Sequence, residues 1–111
     1  MTRLKDLQML ATLSQLVLDQ RLAGLRQAAG QLERSRAQMQ AINAAAAPAD
    51  LPPVAAGLVD IAYRRWADIR RTELTATIAR QTVDWMEAKA DAATAFGRLQ
   101  ALKGAADRLE E

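Results

Sequence analysis

"AAAAPADLPP", residues 44–53, is the one stretch of this 111-residue chain that a helix cannot run through. It holds all three prolines, Pro48, Pro52 and Pro53. Each lacks a backbone donor and pushes the residue before it out of the helical region. Leu51 and Pro52 are therefore expected outside any helix. Pro53 suits the first helical position of the next segment, where its missing N–H leaves no bond unmade. On this reading a first helix covers about residues 2–46, a turn about 47–52 and a second helix about 53–109.

Composition agrees with helix throughout. Hydrophobic residues make up 50% of the chain but aromatics only 4%, and the apolar share is carried by 25 alanines, the strongest helix formers. No strand is expected. From Leu4 every seventh residue is apolar, through Ala11, Leu18, Leu25, Leu32 and Met39, and Leu7, Leu22, Ala28 or Ala29 and Ile42 fill the companion places. A short linker between two long amphipathic helices folds them back on each other. The expected fold is all-α: an antiparallel two-helix coiled-coil hairpin, with a helical bundle if two hairpins pair.

A turn centred near residue 50 would set residue i opposite about 100 minus i. That places Leu18 near Thr82, Leu25 near Ala76, Leu4 near Phe96, and Trp85 between Ser14 and Leu18. The second helix would then overhang beyond about residue 100, although "ALKGAADRLEE" still carries Leu102, Ala106 and Leu109 in the seam. Gly97 and Gly104 weaken this end by about 1 kcal/mol each relative to Ala, which favours fraying unless something docks there.

The second helix carries more apolar surface than one neighbour can use. "LTATIARQTVDWMEAKADAATAF", residues 74–96, gives one seam through Leu74, Ile78, Gln81, Trp85, Ala88, Ala92 and Ala95. Ala76, Ala79, Val83, Met86, Ala90 and Ala93 form another on nearly the opposite side. Val83 and Met86 are therefore candidates for a partner face or for a contact between two copies of the hairpin. At the start of the chain Leu10, Leu13, Leu16 and Val17 widen the apolar face past a two-stranded stripe, and with Leu102 and Leu109 they make both termini candidate contact surfaces.

The residue inventory points away from an enzyme. There is no Cys and no His, which removes disulfides, thiol nucleophiles, imidazole bases and the usual zinc ligands. Asp84, Glu87 and Asp91 share a helix face but stand beside Arg80 and Lys89, as a solvated charged face does. Ser14 and Ser35 have no base of the usual kind, and no cofactor is expected. Fifteen basic and thirteen acidic residues are mixed along the chain, so neither a nucleic-acid arm nor a membrane-surface helix is expected. Asp6, Gln8, Thr12, Ser14 and Gln15 interrupt the apolar run a signal peptide needs, and no stretch is apolar for the roughly 18 residues of a membrane span.

"YRRWADIRR", residues 63–71, joins the only Tyr and one of two Trp to four arginines. Such mixtures make both binding hot spots and nucleic-acid surfaces, which marks Tyr63, Trp66 and Arg70 as candidate contacts; nearby acids thin the basic patch and favour protein over nucleic acid. The same residues also read as plain structure: Trp66 and Ile69 in the seam, the arginines pairing with Asp60, Asp68 and Glu73. Ala62, Trp66, Arg70 and Leu74 run in successive fours, so a stutter is expected that changes the seam's phase and re-aims the aromatic pair.

The Leu-rich start "LKDLQMLATLSQL", the aromatic pair "YRRW", the register "IARQTVDW" and the ending "FGRLQALKGAADRL" together resemble the FliJ-like family of coiled-coil stalk proteins of flagellar and type III export. The resemblance covers most of the chain, which is shorter than typical members. It implies a cytoplasmic export component that sits in the pore of a hexameric export ATPase, engages the export gate and escorts export chaperones. The alternative from the residues alone is a structural homo-oligomer whose coil is its whole function.

Overall fold

The computed structural model describes residues 2–45 and 51–111. They form two helices, α1 (Thr2–Ala44) and α2 (Pro53–Glu110), and no strand. The all-α hairpin expected from the sequence is what the chain adopts. Leu51 and Pro52 are non-helical and Pro53 opens α2, whose first turn is closed by the Ala56 amide donating to the Pro52 carbonyl at 2.7 Å. Pro48 and the rest of 46–50 lie outside the described residues. Threonines tolerated inside the helices donate back one turn, Thr12 to the Gln8 carbonyl and Thr82 to that of Ile78. α2 continues through Gly97 and Gly104 to Glu110.

The chain divides into two units. In the first, Met1–Gly30 and Val83–Glu111, the helices run antiparallel. Leu18 is buried with Ala95 and Leu99, and Ala11 and Leu22 pack against them. Ser14 lies by Arg98, Gly24 by Ala88, and Leu7 by Ala105. Residue i therefore stands opposite about 112 minus i, which corrects the expected value of 100. Leu18 packs on Ala95 in place of the expected Thr82, and the same register sets Leu4 opposite about residue 108 instead of Phe96 and Trp85 opposite about Gln27 instead of Ser14 to Leu18. The physical reason is that a heptad seam matches itself at several offsets. A proline turn marks where the second helix starts, not where pairing starts.

The overhang is corrected with the register. Ala106 is buried, Leu102 and Leu4 are half-buried, and this end of α2 is covered by the first turns of α1.

In the second unit, Gln31–Thr82, Ile42, Ala67 and Leu74 form the buried centre, with Met39, Tyr63 and Ile78 against it. Because Ile42 near the end of α1 already meets Tyr63 and Ala67, the turns of α2 before Tyr63 lie beyond the described end of α1. Val54 is accordingly 79% exposed, and Leu58 and Ile61 are exposed with it. The seam here enters through Tyr63 and Ala67, which corrects the expected Ala62 and Trp66, both exposed. Ala67 is 1% exposed and clusters with Ile42 and Leu74, so this position of α2, and not Trp66, is turned into the seam. Successive steps of four do occur, but through Arg70, Leu74 and Ile78. Ser35 is buried in the same unit, and the Gln81 side-chain oxygen is buried without a hydrogen-bond partner among the described residues.

Candidate protein-binding surfaces

The two seams of α2 separate cleanly. Leu74, Ile78, Gln81, Trp85, Ala88, Ala92 and Ala95 are buried or half-buried, whereas Ala76, Ala79, Val83, Met86, Ala90 and Ala93 are all exposed. Within the first unit, Val83 and Met86 are 52% and 59% exposed. Helical geometry explains this, since positions turned half a revolution from Trp85 and Ala92 cannot also face α1. Lys89 lies over the Trp85 ring at 5.2 Å from its centroid, extending the stem of a charged side chain along the rim of the seam. Asp84, Glu87 and Asp91 are exposed, and no grouping of three or more acidic, His or Cys side chains suited to a metal occurs among the described residues.

A second surface of the first unit is the outer face of α1. Leu10, Leu13, Leu16 and Val17 are exposed as their positions in the sequence imply, and Met9 joins them. Sequence reasoning passed over Met9, although its four-residue spacing from Leu13 places it on that face. A third is a groove at the paired termini lined by Arg3, Asp6, Leu7, Ala105, Arg108 and Leu109. The candidates Leu102 and Leu109 therefore part company: Leu102 serves the seam and Leu109, half exposed, opens onto the groove.

In the second unit the aromatic pair divides in the same way. Tyr63 is half-buried and its hydroxyl donates to the Ile42 carbonyl at 2.9 Å, tying the start of α2 to the end of α1. Trp66 rests against it, ring centroids 5.6 Å apart and tilted by 42°, yet stays 52% exposed. Arg70 and Arg71 straddle the seam where its phase shifts. Arg70 donates to Gln38 and Glu73, and Arg71 to Asn43 and Asp68. Asp60, Asp68 and Glu73 are thus the partners of Arg64, Arg71 and Arg70, as the sequence suggests. Both Arg70 and Tyr63 are engaged within the chain, whereas Trp66, Ile69 and, most exposed near the start of α2, Val54, Leu58 and Ile61 are outward apolar side chains of this unit. The four-and-three spacing of the last three was the available signal for them.

Tyr63→Phe is expected to lower stability by about 1 kcal/mol, the net worth of one part-buried hydrogen bond, because the Ile42 carbonyl loses its side-chain donor. Trp66→Ala is expected to change it by about 0.5 kcal/mol or less, as an exposed position does. Thermal denaturation of the two variants side by side checks the division of roles.

Compared with protein-family models, curated proteins and solved structures, the chain matches none of them.

Proposed function

We propose that this protein is a non-enzymatic coiled-coil stalk or adaptor of a type III (flagellar) export apparatus, working in the cytoplasm and binding the export ATPase, with the export gate or export chaperones as further partners. The observation that carries the reading is the exposure of Val83 and Met86 on the side of α2 turned away from its own seam. A shaft inside a ring must touch protein on sides its hairpin does not cover, and full burial of each such side chain contributes about 1.5–3 kcal/mol. The sequence resemblance supplies the identity of the ring. No helix among the described residues is long and apolar enough to cross a membrane.

The test uses the purified full chain with the export ATPase of the same organism. Binding in a pull-down and faster ATP hydrolysis are expected. Val83→Glu combined with Met86→Glu should abolish both while far-UV circular dichroism stays helical, because neither residue contributes to the seam. If the unaltered chain binds no export ATPase, the export reading falls and the structural coiled coil stands in its place.

A further inference from the structure

We infer that the outer face of α1 in the first unit is a two-fold interface between two copies of this chain, the helices antiparallel and Leu13 at the symmetry axis. Five large apolar side chains, Met9, Leu10, Leu13, Leu16 and Val17, stand exposed within nine residues of one helix. Burying them in two copies would remove on the order of 1,000 Å² from water, the lower bound for a specific interface.

Charge and shape choose the occupant. On a heptad helix Leu13 is central on this face, Met9 and Leu16 line one side, and Leu10 and Val17 the other. An antiparallel two-fold contact sets Leu13 against Leu13, Met9 against Leu16 and Leu10 against Val17, so large meets large at every position. The same symmetry brings Asp6, which continues the central row one heptad before Leu13, opposite Gln20, a carboxylate facing an amide donor. It also brings Lys5 to the turn that carries Asp19 of the second copy. Lys5, Asp6 and Asp19 are exposed, and the ion pairs among the described residues all lie in the second unit, so these charges are free to pair. Asp19 now accepts only from Gln15, at 2.9 Å. A parallel arrangement would instead set Asp6 against Asp6 on the central row, a repulsive contact.

The chain has no cysteine, so single introduced thiols report the arrangement directly. The unaltered protein is expected to sediment as a dimer at tens of micromolar, and Leu13→Glu with Leu16→Glu to halve the sedimenting mass without loss of helix. With a short bis-maleimide, Leu13→Cys alone should give a linked dimer. Met9→Cys alone should not, and a mixture of Met9→Cys and Leu16→Cys chains should. Lys5→Glu should weaken the dimer, and adding Asp19→Lys should restore it. A monomer at these concentrations overturns the inference. So does linkage of Met9→Cys alone as efficient as that of the mixture, or a dimer that dissociates on Val83→Glu with Met86→Glu and survives the α1 changes. The inference is independent of the export reading, since no ATPase enters the experiment.

Discussion

Leu74→Ala is expected to cost about 2–5 kcal/mol, the range for emptying a fully buried leucine site. Leu74 is 2% exposed and is the large side chain around which Ile42, Ala67, Met39, Tyr63 and Ile78 close the second unit. Its neighbours cannot collapse readily onto the gap. Ala67 is too small to reach, and Tyr63 is held by its bond to the Ile42 carbonyl. Since a domain of this size has a total stability of about 5–15 kcal/mol, the loss should show as a fall in melting temperature on the order of 15 °C. Ile69→Ala, five residues away on the same helix but exposed, should change stability by about 0.5 kcal/mol or less. Equal effects from the two substitutions would mean that the seam of this unit has been assigned to the wrong face of α2.

The register of the first unit has an all-or-none readout. Cysteines placed together at Leu18 and Ala95 are expected to oxidise rapidly within one chain, because the two residues share one buried cluster and a disulfide requires Cα atoms within about 7 Å. Cysteines at Leu4 and Phe96 should not oxidise within the chain. In the observed register Leu4 faces a point about 12 residues further along α2, roughly 18 Å away at 1.5 Å per residue. The opposite pattern would restore the register expected from a turn centred at residue 50. It would also return Leu102 and Ala106 to an uncovered overhang. Intermolecular bridges from the Leu18 and Ala95 pair would instead indicate a helix exchange between chains.

Much of the exposed apolar surface was legible in residue spacing. Val83, Met86, Leu10, Leu13 and Val17 are exposed because a helix has a fixed periodicity. Once one row of positions is assigned to the seam, a row half a turn away is committed to the outside. The arginine pairs of "YRRWADIRR" were legible for the same reason, since three- and four-residue spacings place opposite charges side by side. The roles of Tyr63 and Trp66 were not. Both can reach a seam from where they stand in the sequence. The choice turned on Ala67, which clusters with Ile42 and Leu74 and so puts Tyr63, four residues before it, on the seam side and Trp66 outside.

The sequence by itself determined that the chain is two helices, that the first ends before the proline-bearing stretch and Pro53 opens α2, and which stripe of each helix is apolar. These follow from local chemistry: proline geometry, helix propensity and the angle between successive side chains, none of which depends on residues far along the chain. Only the tertiary structure decided how far one helix slides along the other. It therefore also decided that Leu102 and Ala106 are covered while Val54, Leu58 and Ile61 are not. Sliding by a heptad replaces one apolar layer with another of the same kind and leaves the periodicity unchanged. The differences that select one offset are individual fits between distant residues, such as Leu18 with Ala95 or Tyr63 with the Ile42 carbonyl, and these exist only when the two helices are side by side.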